Sequence, residues 1–134
     1  MDKSASVVVQ TLEVCAQKLG DITPLVFEQF FRLSPDGYAL SEHSDESMQG
    51  RMFEAVIDLL MNDEALVPGG YWDWELDNHF NAYRVTPQMY QAFFIATQAV
   101  VRGAFGAAWT TQETRAWAIK LEQLMSRVNA HGTG

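Results

Sequence analysis

The residue whose type and setting best suit chemistry is His79, the one histidine embedded in a dense apolar stretch, Glu75-Leu76-Asp77-Asn78-His79-Phe80-Asn81-Ala82-Tyr83-Arg84-Val85-Thr86-Pro87-Gln88-Met89-Tyr90. A neutral imidazole there can bind a metal through one ring nitrogen while the other donates a hydrogen bond that fixes the ring. Glu75, four residues earlier and one helical turn back, is spaced to accept that bond. The plainer alternative is a partly buried histidine that makes a hydrogen bond and holds no ligand. Other constellations are thin. The chain has no glycine-rich phosphate loop, no Cys/His cluster and no His/Glu pattern at zinc-protease spacing. The acids Asp36, Glu42, Asp45 and Glu46 lack the alternating ligands and central glycine of a calcium loop. The single cysteine, Cys15, excludes an internal disulfide and falls at an apolar position, which reads as packing.

The elements that must position His79 are helical. Val8, Leu12, Cys15 and Leu19 form a stripe on a first helix, Ser4 to Leu19, which Gly20 ends as a left-handed cap. Asp21 or Thr23 caps a second helix carrying Leu25, Phe27, Phe30 and Phe31. Ser34-Pro35-Asp36-Gly37 predicts a turn, and Tyr38 to Ser47 a polar connection. From Asp45 to Met61 a third helix directs Phe53, Val56, Ile57 and Leu60 inward. A short helix after Pro68-Gly69-Gly70 presents His79. Thr86-Pro87 opens the next, with Tyr90, Phe93, Phe94, Thr97 and Val101 on one side and fraying from Gly103 to Gly106. Thr110 to Glu113 is a capping box for a last helix with the stripe Trp117, Leu121, Leu124 and Val128, and residues 129–134 read as a loose tail.

No alternating strand pattern competes, so the expected architecture is a single all-α domain over residues 1–134. At 134 residues, 48% apolar and 12% aromatic, the chain can fill one core. A net charge of -8 and the lack of a basic run argue against nucleic acid as partner. No apolar run approaches bilayer length and no signal peptide is visible, so no membrane partner and a cytoplasmic location are expected.

Four stretches carry a family resemblance. Val26 to Pro35, Gln49 to Asp58, His79 to Tyr90 and Gly106 to Trp117 occur in the order found in single-domain bacterial globins, and they are spread from residue 26 to residue 117 of the chain. The last is similar to the W-T-x-x-x-x-x-A-W pattern that opens the final globin helix, here Trp109-Thr110 to Ala116-Trp117. The resemblance implies a globin-like fold of six to eight helices, haem b as cofactor and a diatomic gas, oxygen or nitric oxide, as reversible ligand. It implies His79 as proximal iron ligand and Gln49 as distal hydrogen-bond donor, with Phe53, one turn after Gln49, and Phe27 as distal walls. Arg51 or Arg84 would pair with a haem propionate. It leaves room for a homodimer and, for any redox enzyme role, for a separate reductase. Enzymatic activity is not the expectation.

Two positions depart from the globin pattern and keep a second reading open. The phenylalanine that stacks on the porphyrin falls six residues after the proline matching Pro35, and Ser41 stands there. An apolar residue six after the proximal histidine and a proline eight after it suit His79, through Val85 and Pro87, whereas the spacing of five and seven common in bacterial relatives assigns that place to Phe80. One residue turns a helical side chain by about 100°, so only one of the two faces the iron. The second reading is a haem-free globin-fold module for sensing or protein interaction. The registers separate experimentally: with His79 as ligand, His79→Ala loses bound hemin and Phe80→Ala keeps it, and equal retention by both variants removes His79 from the role.

Overall fold

The computed structural model describes residues 3–41, 46–61 and 86–133. Within them the protein is all-α: α1 (Lys3–Leu19), α2 (Thr23–Leu33), α3 (Pro35–Ser41), α4 (Glu46–Met61), α5 (Pro87–Phe105) and α6 (Thr111–Thr133), with a 3-10 turn at Gly106–Ala108 and no strand among the described residues.

The helix ends follow local chemistry. Gly20 takes φ 71°, the left-handed conformation that closes α1 without a Cβ penalty. At the start of α2, the Asp21 carboxylate accepts from both the backbone N–H (3.0 Å) and the hydroxyl (2.6 Å) of Thr23. The two candidate caps therefore act together, and Ile22 between them contributes no side-chain bond. Thr86 has extended backbone and accepts from the Met89 N–H at 3.2 Å, with Pro87 opening α5 as expected. Thr110 caps α6, accepting from the Gln112 N–H and donating to the Glu113 carboxylate.

Three stretches differ from the sequence expectation. Ser34 to Ser47 was expected as turn and connection, yet Pro35–Ser41 is helical. Ser34 accepts from the Gly37 N–H at 2.9 Å, so Ser-Pro here is an N-cap followed by a first-turn proline rather than a β-turn. Gly37 is required for closeness, not for positive φ: a Cβ there would collide with the Phe30 ring. The helix α5 passes through Gly103 and stops at Gly106, whose φ of 56° and ψ of -128° suit glycine alone. The last helix continues beyond Val128 to Thr133.

Packing is not sequential. The most extensive contacts join α2 to α5 and α1 to α6; α5 also meets α6, α1 meets α4 and α5, and α2 meets α3 and α4. The buried stripes are largely those read from periodicity: Val8, Leu12 and Cys15 on α1, Phe53, Val56 and Leu60 on α4, Trp117, Leu124 and Val128 on α6. Leu19, placed on the inner stripe of α1 by its spacing, is exposed, and on α2 Val26 is buried while Leu25 is exposed. Lys120 is also unexpected, being 1% exposed on the inner stripe of α6.

One polar link ties the first helix to the last. The Trp117 indole N–H donates to the Thr11 hydroxyl at 2.9 Å, and that hydroxyl donates to the Val8 carbonyl at 2.7 Å, all in the interior. The residue pair is 106 positions apart in sequence, so the bond exists only in the folded chain. Thr11→Val strands the indole N–H in an apolar site. It should lower the stability by about 1–3 kcal/mol, with Thr11→Ser close to wild type, measured as urea midpoints at unchanged slope.

Candidate functional site

The densest grouping of the residues that sequence reasoning singled out lies where α2, α4 and α5 meet. Phe27, Phe30 and Phe31 fall at helical spacing on α2, so the three rings share one side and a shoulder of that helix. Phe93 of α5 packs its ring edge-to-face against Phe27 and Phe30, each at 5.1 Å between centroids. Phe53 of α4 reaches Phe93 at 6.3 Å. These spacings and tilts are those at which aromatic quadrupoles attract. Phe27, Phe30, Phe53 and Phe93 are all buried. Phe31 is half-buried and extends the cluster to Tyr38 of α3, 5.1 Å away, itself 50% exposed.

Of the predicted site residues, Phe27 and Phe53 are thus brought into one cluster through Phe93. Gln49 lies one turn before Phe53 on α4 and is half-buried. Arg51, two residues on from Gln49 and turned about 200° around the helix from it, is exposed. His79, Phe80, Arg84 and the proposed acceptor Glu75 lie outside the described residues, as does His43. Phe93 and Phe30 are the members that site reasoning overlooked. Their periodicity marked them as buried, but periodicity does not say which buried rings meet.

Among the described residues, the two groups with shifted acidity, Cys15 and Asp21, lie outside the ring cluster. Burial pushes the Cys15 thiol up from its ordinary pKa, with Lys18 pulling weakly the other way, so the thiol stays protonated at neutral pH and is a poor nucleophile. The two hydrogen bonds from Thr23 hold the Asp21 carboxyl below its usual range. Among the described residues, no three His, Cys, Asp or Glu side chains are grouped to hold a metal ion. A largely apolar groove of about 240 Å³ lies between α1 and α4, lined by Leu12, Ala16, Ile22, Phe53, Ile57 and Met61, so Phe53 borders both groove and cluster.

In the globin pattern an aromatic ring stacks on the porphyrin, and the residue that the resemblance sets in that place is Ser41, the last residue of α3. Tyr38, the one aromatic residue of α3, rests its ring on Phe31 and half of it faces solvent. The chain matches no protein-family model and no curated protein.

The cluster predicts an unequal response to truncation. Phe93→Ala, which removes the ring that links α2 to α4, should cost about 3–5 kcal/mol. Arg51→Ala should stay within about 0.5 kcal/mol, as for an exposed position. Chemical denaturation of both variants gives the comparison, and similar losses would contradict the placement of either side chain.

Proposed function

We propose that this protein is a globin-like module that works without haem, as a sensory or protein-interaction unit of the cytoplasm. The observation that carries this reading is the use of the aromatic residues around α2 and α3. Phe27, Phe30 and Phe53 are joined through Phe93, Tyr38 packs on Phe31, and the residue that the resemblance sets in the porphyrin-stacking place, Ser41, has no ring. The globin-like part of the reading rests on the sequence resemblance, and the contacts of α2 with α5 and of α1 with α6 among the described helices are compatible with it. The net charge of -8 turns the reading away from nucleic acid and towards protein partners or small ligands. No described helix is long and apolar enough to cross a membrane.

A second reading, a haem protein that reversibly binds oxygen or nitric oxide, has one specific observation in its favour. Gln49 and Phe53 stand one turn apart on α4, and Phe53 shares a cluster with Phe27, an arrangement suited to a distal wall with a hydrogen-bonding amide. In that reading His79 supplies the axial imidazole, and Arg51 or Arg84 meets a propionate.

The absorption spectrum of the purified protein titrated with hemin, then reduced with dithionite and exposed to carbon monoxide, decides between them. The haem-free reading expects no Soret band above the free-hemin background. A stoichiometric band that shifts with carbon monoxide would replace it with the gas-binding reading.

A further inference from the structure

The outward face of α6 carries an arrangement that neither function reading uses. Thr111, Arg115, Ala118, Ile119, Glu122 and Ser126 are all exposed, Ile119 at 43%. At 100° per residue they fall within a stripe about 100° wide, opposite the buried Trp117, Lys120 and Leu124. Arg115 and Glu122 are two turns apart on this stripe, too far for the usual one-turn pairing, and among the described residues neither makes an ion pair.

Read from its two ends, the stripe is its own complement. When a second α6 is laid antiparallel across a two-fold axis between Ala118 and Ile119, Arg115 faces Glu122 of the other copy and Glu122 faces its Arg115. The large Ile119 meets the small Ala118, and Thr111 meets Ser126. Charge meets opposite charge, bulk meets space, and hydroxyl meets hydroxyl, which is the condition for an isologous interface. The parallel alternative would set Arg115 against Arg115 and Glu122 against Glu122, and is disfavoured by the same charges.

We propose that α6 is a homodimer interface in which two copies of the chain pair antiparallel through Arg115, Ile119 and Glu122. It goes beyond the function reading and stands independently of the haem question, since it uses only described residues on the outer side of one helix. A single pair of helices buries less than about 1,200 Å², so the dimer is a weak one whose population depends on concentration.

Sedimentation of the full chain over roughly 1 µM to 1 mM protein, the range suited to a small interface, tests it. The wild type is expected to shift from monomer to dimer mass. Arg115→Glu and Glu122→Arg each place like charges together twice across the two-fold axis, and each should weaken association at least about tenfold. The double variant Arg115→Glu/Glu122→Arg restores both pairs and should recover association. Circular dichroism of each variant checks that the helices are retained; because both positions are exposed, no loss is expected. A wild type that stays monomeric throughout, a dimer indifferent to the single reversals, or a double variant that fails to recover would each overturn the proposal. None of these outcomes alters the hemin titration, so the two readings fail separately.

Discussion

The structure depends on the ring of Phe93. It is the point at which α2, α4 and α5 touch, and it brings together helices separated by long stretches of chain. A phenylalanine side chain contributes roughly 1.5–3 kcal/mol by leaving water. Edge-to-face contacts with Phe27 and Phe30 add specificity, because they are favourable only over a narrow range of tilt and distance. Gly37 belongs to the same constraint. It lets α3 approach the Phe30 ring closely enough for Tyr38 to reach Phe31, which is how the short third helix is held against the second.

The opposite end of the core is organised by polarity. Trp117, Thr11 and the Val8 carbonyl form a buried chain of hydrogen bonds that fixes the rotation of α6 against α1, since an apolar stripe alone tolerates small slips and a hydrogen bond does not. Thr97 satisfies its buried hydroxyl on the Phe93 carbonyl one turn back, so the helix that carries the central ring also closes its own polar account. Once α6 is oriented by Trp117, the direction of its other side follows. Burial of Trp117, Lys120 and Leu124 leaves Arg115, Ile119 and Glu122 facing outward together. The interior bond and the exterior stripe are two consequences of one helix rotation.

These arrangements bear on function in different ways. A haem-binding reading draws on spacing along the chain, with Gln49, Phe53 and Phe27 in suitable places, while the haem-free reading draws on which rings are already in contact. The aromatic side chains around α2 and α3 are engaged with one another, and Ser41 offers no ring, which is the ground on which the haem-free module is proposed.

Much was legible in the sequence because it is written locally. The helical class, the caps at Gly20, Thr86 and Thr110, and most inner stripes follow from periodicity and from side-chain chemistry acting within a turn. Ser34-Pro35-Asp36-Gly37 was misread because an N-cap followed by a first-turn proline and a β-turn have the same letters, and the choice lay with the Phe30 ring lying over Gly37. Leu19 is exposed although its spacing puts it on the stripe, because an apolar residue at the end of a stripe is buried only if another helix covers it. Lys120 could not be foreseen, since a lysine on a helical stripe is ordinarily exposed and here it is buried. The sequence by itself determined the all-α class and, among the described residues, most of the helices and where they start and stop. Tertiary structure alone decided which rings meet, which residues share the interior with Trp117 and which face of α6 is left open, because those are contacts between segments tens of residues apart and no local pattern encodes them.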